Sequence, residues 1–391
     1  MYEQLKAQFA EVYGAPAKYL FSAPGRTELS GNHTDHQHGC VLAAAVNLET
    51  VAAVRENDGT RIRVLSQGYP MCEIALDDLT VHPEENGTTA ALIRGVAARF
   101  AQLGKTIKGF DACVQSGVLP GSGLSSSAAF EVLMGVIINH LGNAGLTAPE
   151  IAMAGQYAEN VYFGKPCGLM DQTASSVGNA VRIDFGGEQP VIEPIRFDFS
   201  ACGHALCIID SGADHADLTD EYAAIPGELE KVCTLFGAEV LRDVPEDKFY
   251  EKIASVRRFV GDRAMLRAIH IYEENRRVEA QTQALQRGDF GAFLQLMKLS
   301  GYSSWMYLQN VIPAGNTDRQ ELAFALAVTE HLLGGRGACR VHGGGFAGTL
   351  QAFVPYDILD EFREKIEKVL GEGHCHVLAI RPQGGILLEE L

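Results

Sequence analysis

The stretch that decides the fold of this chain is PGSGLSSSA, at residues 120–128. A strand-like run precedes it at residues 112–114, and Phe130, Leu133, Val136 and Ile137 follow it at helical spacing. Glycines let backbone come close to a ligand, and a helix N-terminus offers unpaired N–H groups and the positive end of a dipole. The pattern predicts a strand, a phosphate-binding loop and a helix. The alternative is a tight turn with a serine N-cap, although three consecutive serines exceed what a cap requires.

The loop differs from the P-loop of many nucleotide-binding proteins. It has no Gly-Lys-Ser/Thr ending, and the one Gly-Lys-Thr, at residues 104–106, has Arg99 where that motif needs glycine. A nucleotide would therefore be held without the P-loop lysine.

A second glycine-rich segment is GGGFAG, at residues 343–348. It fits the G-x-G-x-x-G pattern, but residues 349–354 look like a strand and run into Pro355 rather than into a helix. The context predicts a loop before a strand. Such a loop can approach a ligand or another backbone, or it can be a hairpin or tight packing site.

A third segment is APGRTELSGNHTDHQHG, at residues 23–39, followed by an apolar run at 41–46. Its His33, Asp35, His36 and His38 could ligate a metal, which would fit a metal-dependent hydrolase. They could instead bind a polar ligand or face solvent. Since no second His/Asp cluster completes a metal site in the sequence, a transition metal is the less favoured interpretation.

A fourth segment, CGLMDQ at residues 167–172, places Asp171 after apolar residues. A partly buried carboxylate next to a hydroxyl substrate can take or orient its proton. The alternative is an N-cap of the following helix.

Composition limits the classes of function. The chain has 391 residues, 42 of them glycine, and its 32 basic and 49 acidic side chains give a formal charge of −17. This balance argues against nucleic acid or anionic membrane as a partner, but not against a small anionic ligand held by backbone N–H groups. We find no signal-peptide pattern, no membrane-length apolar run and no C-x-x-C among nine cysteines, so we expect a cytoplasmic protein with free thiols.

Strand-like and helix-like runs alternate, which predicts an α/β or α+β fold of two or three domains. We expect a charged, helical region at 241–299 and a boundary near 190–205. The predicted strands are 51–54, 61–65, 205–209, 349–354 and, as the last, 377–380. The predicted helices are 88–103, 151–163 and 358–370.

The four segments, in this order, resemble the galactokinase branch of the GHMP small-molecule kinases, over almost the whole chain. The resemblance implies an α+β fold with a ribosomal S5 domain 2-like domain, containing a left-handed βαβ element, at residues 1–195. A ferredoxin-like domain would follow at 196–391, with the active site between the two.

The resemblance also implies the activity: ATP-dependent phosphorylation of the anomeric hydroxyl of D-galactose, giving galactose 1-phosphate and ADP. The implied cofactors are ATP and Mg²⁺. The implied partners are the sugar and ATP, with no nucleic acid or membrane, for a monomer or weak homo-oligomer.

Residue roles follow from the resemblance in the same way. Asp171 matches the catalytic carboxylate and Arg26 its basic partner, while Ser126 and Glu159 match the Mg²⁺-associated residues. The sugar-side positions are Asn32, His33, Asp35, Gly168 and Tyr222. The loop around the ATP phosphates comprises Pro120, Gly121, Ser122, Gly123, Leu124, Ser125, Ser126, Ser127 and Ala128.

The sugar motif departs from the usual Gly-Glu-His-Thr-Asp-Tyr, with Asn32 and His36 replacing Glu and Tyr. In the same segment, Glu28 stands where Asn is usual and Ser30 where Ile is usual. In the C-terminal glycine-rich motif, His342 replaces the usual Thr and Ala347 the usual Gly. The resemblance puts position 32 near the sugar 6-hydroxyl, where Asn32 could bond a hydroxyl and would not repel a 6-carboxylate. The alternatives are therefore a kinase for a sugar altered at C6 or C2, such as galacturonate, and a non-catalytic galactose/ATP sensor. The uninterrupted phosphate loop favours an enzyme.

Overall fold

The computed structural model describes residues 1–57, 59–118, 123–213 and 218–391. Two β-sheets with helices packed on them form the structure. The strands are β1 Tyr19–Ser30, β2 Cys40–Glu56, β3 Arg61–Ser66, β4 Cys72–Ala75, β5 Phe110–Ser116, β6 Ala180–Asp184, β7 Val191–Ile195, β8 His204–Asp210, β9 Ala338–Val341, β10 Thr349–Pro355, β11 Cys375–Leu378 and β12 Ile386–Glu390.

Helices occupy most of the remaining chain. They are α1 Tyr2–Tyr13, α2 Thr89–Gln102, α3 Ser126–Leu141, α4 Ala148–Tyr157, α5 Met170–Val177, α6 Thr219–Thr234, α7 Glu246–Glu251, α8 Ile253–Val260, α9 Asp262–Gln286, α10 Phe290–Ser303, α11 Glu321–Leu333 and α12 Leu359–Leu370. Two of them end in π-helical turns, α4 at Ala158–Phe163 and α10 at Ser304–Leu308.

The first sheet has the order β12-β1-β2-β5-β3-β4, and β6 and β7 extend it from the other part of β2. The side chains of β2 enter a separate hydrophobic core on each face of the sheet, because successive side chains of a strand point to opposite faces. Ala52 and Val54 lie in the core that also holds residues of α2 and α3. Val51 and Ala53 pack with Leu5 of α1 on the other face.

The second sheet has the antiparallel order β11-β8-β10-β9. Between β8 and β9 the chain forms α6 to α11, and α12 lies between β10 and β11, so the sheet has ferredoxin-like topology. One buried cluster joins the sheets: Leu42 and Val46 of β2 share it with Ile208 of β8 and with Phe293 and Met297 of α10. This shared core fixes the two sheets against each other, with the functional segments along their junction.

The α+β fold is confirmed, and most of the predicted elements have counterparts in the structure. Residues 343–348 precede strand β10, as expected for a loop before a strand. One prediction was wrong: residues 377–380 are not part of the last strand, because β12 follows β11 and pairs with β1 of the first sheet. The domain boundary stays a prediction; residue 195 ends β7, and the second sheet begins at β8.

Two properties bear on the environment of the chain. The nine cysteines are all free thiols. Among the described residues, no helix combines the length and the apolar character needed to cross a membrane.

Candidate active site

Arg26 and Asp171 form a bidentate ion pair at the centre of the site. Arg26, on β1, donates from Nε to Asp171 Oδ1 at 2.6 Å and from Nη2 to Oδ2 at 2.7 Å. Their side chains are 12% and 28% exposed, so the pair is shielded but reachable. Burial alone would raise the pKa of Asp171, but the charge and hydrogen bonds of Arg26 outweigh it and the pKa is lowered. Asp171 is therefore ionised at neutral pH.

Arg26 also reaches the phosphate loop. Its Nη1 donates to the carbonyl of Gly123, and its backbone N–H donates to the carbonyl of Leu124 at 3.0 Å. Gly123 has φ +72° and Ser125 has φ +56°, and this left-handed turn leads directly into α3. The first N–H groups of a helix lack intrahelical partners, so the start of α3 suits a phosphate.

The structure describes part of the predicted phosphate loop. Leu124 and Ala128 are fully buried and anchor its end in the core, while Ser126 and Ser127 open α3. Pro120, Gly121 and Ser122 lie outside the described residues.

Asp35 faces the segment at residues 167–172, which contains Asp171. A Cβ added to Gly168 would lie 3.2 Å from Asp35 Oδ2, so the absence of a side chain at 168 keeps this face open. The other oxygen, Oδ1, accepts from the backbone N–H of His36 at 2.9 Å. The predicted residues Asp35 and Gly168 are therefore neighbours.

His33 and Tyr222 meet at the C-terminal glycine-rich loop. His33, at φ +61°, donates from Nε2 to the carbonyl of Gly344 at 3.0 Å, and burial lowers the pKa of its ring. Tyr222 Oη donates to the carbonyl of Gly345 at 2.8 Å. A Cβ at Gly344 would lie 2.7 Å from the Tyr222 ring, so the tyrosine packs directly on the loop. The segment at residues 23–39 and the glycine-rich loop at residues 343–348, distant in sequence, thus share one site.

Asn32 is placed differently from expectation. It is 1% exposed, and its amide is used by the protein itself. Nδ2 donates to Glu28 Oε1 at 3.2 Å and to the carbonyl of Gly343 at 2.7 Å, while Oδ1 accepts from Asn310 at 2.8 Å and Ser304 at 3.3 Å. These four partners use the amide's hydrogen-bonding capacity. A direct sugar contact by the Asn32 side chain, which the motif predicted, does not fit this geometry.

The departures at positions 28 and 30 belong to the same buried network. Glu28 accepts from Arg340 Nη2 at 2.7 Å, and the arginine is fully buried. Ser30 Oγ donates to Glu274 Oε1 at 3.0 Å, and the Gly31 N–H donates to the same oxygen. The unusual residues therefore tie the sugar-motif loop to α9 and β9.

Glu159, one of the two residues predicted to bind Mg²⁺, is a buried carboxylate. It lies in the π-helical turn after α4, 3% exposed, with Lys165 Nζ at 3.4 Å from Oε1. The hydroxyl at 3.5 Å from that oxygen is that of Ser127, whereas the resemblance pointed to Ser126. A carboxylate beside a serine hydroxyl is a hard-oxygen donor set that fits Mg²⁺, which usually takes one or two carboxylates together with substrate phosphates. The assignment of Mg²⁺ to Ser126 and Glu159 stays a prediction.

Three buried polar residues next to this site, Gln172, Glu131 and His342, were given no role from the sequence. Gln172 donates from Nε2 to both Glu131 Oε2 and Glu159 Oε2, at 2.9 Å each. Burial, and then the charge of Glu159, raise the pKa of Glu131 well above its usual range. His342 bonds Thr27 and packs under Gly123, whose added Cβ would lie 3.1 Å from the ring. The sequence signal that could have indicated a role for them is a glutamate or a histidine inside an apolar or mixed segment.

The metal-hydrolase alternative finds no support in the structure. His36 is 61% exposed, and His38 is exposed too. Within the described ranges, no three His, Cys, Asp or Glu side chains are grouped as a metal site.

Comparisons with known proteins agree with this geometry. Residues 7–56 match the galactokinase galactose-binding signature, and residues 91–179 match the GHMP kinase N-terminal domain. The galactokinase of Lactococcus lactis, solved in complex with galactose, is 26% identical, with 99% of this chain and 100% of that one covered and a TM-score of 0.81. The mevalonate kinase of Methanococcus jannaschii is 14% identical, with 93% and 98% covered and a TM-score of 0.66, which shows the shared fold.

The fold and these matches indicate a sugar kinase that has the N-terminal domain of GHMP kinases. Residues 7–56 carry the galactokinase galactose-binding signature, with Asn32 and His36 as departures in the sugar motif, and almost the whole chain is similar to a galactokinase.

Proposed function

We propose that this protein transfers the γ-phosphoryl group of ATP to the anomeric hydroxyl of D-galactose, giving galactose 1-phosphate and ADP. The observation that carries the proposal is the position of Arg26. One guanidinium holds both oxygens of Asp171 and the carbonyl of Gly123, so the sugar-side carboxylate and the phosphate loop are held in one geometry.

Phosphoryl transfer requires alignment and charge neutralisation more than covalent participation by the protein. Asp171, ionised, accepts or orients the proton of the sugar 1-hydroxyl. The bond from that oxygen to the γ-phosphorus forms as the bond to the bridging oxygen of ADP breaks. Arg26 keeps Asp171 ionised and stands beside the transferring group.

The remaining roles follow from position. Asp35, Gly168, His33 and Tyr222 surround the sugar side, with Asp35 as the carboxylate acceptor for sugar hydroxyls. Backbone N–H groups from Gly123 into α3 hold the phosphates. Ser126 or Ser127 and Glu159 would hold Mg²⁺, which supplies neutralisation of phosphate charge when bound.

The choice of sugar rests on the family signature and on the open carboxylate of Asp35. Asn32, saturated by protein contacts, offers no carboxylate that would repel a C6 acid, so galacturonate is the competitor that the test must include.

The test is ADP release measured with galactose, galacturonate, galactosamine and glucose, compared as kcat/KM. We expect galactose to be the best substrate. Undetectable turnover of galactose with strong turnover of galacturonate would replace the sugar in this proposal. Tight binding of ATP and galactose without ADP release would instead identify a sensor.

A further inference from the structure

A buried bridge beside the active site includes two residues, Glu131 and Gln172, that have no role in the proposed reaction. It consists of Glu131 on α3, Gln172 on α5 and Glu159 after α4, which are 0%, 0% and 3% exposed. Three elements of the N-terminal half meet at a single amide nitrogen, since Gln172 Nε2 lies 2.9 Å from an oxygen of each glutamate.

The space for this bridge is provided by Gly155 of α4. A Cβ there would lie 3.1 Å from Gln172 Cγ, 3.1 Å from Glu131 Cβ and 3.2 Å from Glu131 Oε2. These separations are tighter than ordinary side-chain contacts, so the helices pack closely around the pair. The amide and Glu131 therefore have little freedom to turn.

The two oxygens of Glu159 have different surroundings. Oε2 accepts from Gln172, deep in the core. Oε1 faces Ser127 at 3.5 Å and Lys165 at 3.4 Å, on the side of the phosphate-loop helix. A carboxylate fixed at one oxygen presents the other in a defined direction.

We propose that Glu131 and Gln172 are positioning residues: Glu131 fixes the Gln172 amide, which in turn holds Glu159 with Oε1 directed at the phosphate side of the site. The inference rests on the proposed function, because the ligand that Glu159 would receive is the Mg²⁺ of a bound nucleotide. Burial, and then the charge of Glu159, raise the pKa of Glu131, which favours the neutral form, and Oε2 of Glu131 accepts the hydrogen bond of Gln172. Partners one step behind a metal ligand typically change metal affinity about 10–100-fold when removed.

The test compares Glu131→Leu and Gln172→Leu with the conservative control Glu131→Gln, which keeps the shape and an acceptor oxygen. Calorimetry measures ADP binding to each protein with and without Mg²⁺. We expect Mg²⁺ to tighten ADP binding equally in the wild type and in Glu131→Gln. In both leucine variants that Mg²⁺ effect should fall about tenfold or more, with metal-free ADP binding within about twofold of wild type.

Other outcomes overturn the inference. A full Mg²⁺ effect in Glu131→Leu would show that the bridge does not position Glu159. Equal losses in Glu131→Gln and Glu131→Leu would show that an acceptor at 131 is not what matters. Loss of metal-free ADP binding in the leucine variants would show a general structural role. If the wild type releases ADP with sugar but shows no Mg²⁺ effect on ADP binding, this inference fails while the proposed function stands. If the wild type neither binds ADP nor releases it with any sugar, the proposed function fails as well.

Discussion

The substitution Asn32→Asp tests whether the side chain at position 32 stabilises the fold through buried hydrogen bonds or contacts the sugar. The substitution keeps size and shape but turns the Nδ2 donor into a carboxylate oxygen. That atom lies 3.2 Å from Glu28 Oε1 and 2.7 Å from the carbonyl of Gly343, in surroundings where Asn32 is 1% exposed. Two hydrogen bonds become two repulsive contacts.

The magnitude can be worked from these distances. Two unit charges 3.2 Å apart repel by about 5 kcal/mol at an effective dielectric of ~20. The new carboxyl can escape by taking a proton, which costs about 4 kcal/mol at about pH 7 from an unperturbed pKa of about 3.9. Because protonation costs less than the repulsion, the carboxyl takes up a proton, and we expect a loss of about 4 kcal/mol in the free energy of unfolding. With an unfolding entropy of roughly 2 cal/mol/K per residue, a chain of 391 residues would lose about 5 °C in Tm.

The partner substitution Glu28→Gln completes a cycle. Alone, it removes the carboxylate 2.7 Å from buried Arg340, and breaking such a pair typically costs about 3–5 kcal/mol. Together, Glu28→Gln and Asn32→Asp exchange amide and carboxylate. One negative charge then remains near Arg340, and the introduced amide at position 28 can donate to the introduced carboxylate at position 32. We expect the double variant to be no less stable than the worse single variant, which corresponds to a coupling of at least about 3 kcal/mol.

The assay is thermal unfolding followed by circular dichroism at about pH 7, with Asn143→Asp as the matched control because Asn143 is exposed. The control should shift Tm by less than about 1 °C. Repulsion raises the pKa of the carboxyl introduced at position 32 in the folded state. The loss in free energy of unfolding therefore grows as the pH rises above the pKa of the unfolded chain, and it should be smaller at about pH 5 than at about pH 7. A Tm of Asn32→Asp within about 1 °C of wild type, or a double variant that loses the sum of both singles, would refute the reasoning.

Three further predictions concern the centre of the site. Asp171→Asn should reduce turnover by at least about a hundredfold in the ADP-release assay, the low end for loss of a general base, and near-normal turnover would exclude that role. Arg26→Met should move the acid limb of the kcat–pH profile to higher pH, because Arg26 lowers the pKa of Asp171 against the effect of burial; an unmoved limb would contradict this. Burial, and then the charge of Arg26, lower the pKa of His342 to about 3 in the folded protein. As the pH drops below about 6.5, the imidazole therefore takes up a proton in the unfolded chain but not in the folded one, and the free energy of unfolding falls. His342→Gln should flatten the fall of Tm between about pH 6.5 and about pH 4.5, and an unchanged slope would refute the assignment.

Local patterns in the sequence predict the functional loops well. The small-residue run before an apolar helical stripe marks the start of α3, and the strand after residues 343–348 argues correctly against a dinucleotide-binding loop. Both inferences depend on neighbours within about ten residues, where backbone preference and periodicity act directly. Asp171 could be singled out for the same reason, as one charge in an apolar segment.

Long-range partners could not be predicted in this way. Asn32 looks like a ligand in its motif, but its amide is taken by residues near 304, 310 and 343, which no local pattern connects to it. Gln172 and Glu131 are 41 positions apart and stand as isolated polar residues in helical runs. Strand β12 was missed because its place is set by pairing with β1 at the opposite end of the chain.

Charge in this protein has to be considered locally. The chain as a whole carries −17, yet the site must accept the phosphates of a nucleotide. Arg26 cannot supply a free positive charge, because Asp171 neutralises it in the ion pair. Lys165 is likewise paired with Glu159, so we expect the attraction for phosphate to come from the start of α3 and from the cation that arrives with the nucleotide. On this argument the ion pair provides alignment rather than net charge, and loss of Arg26 should damage turnover more than nucleotide binding.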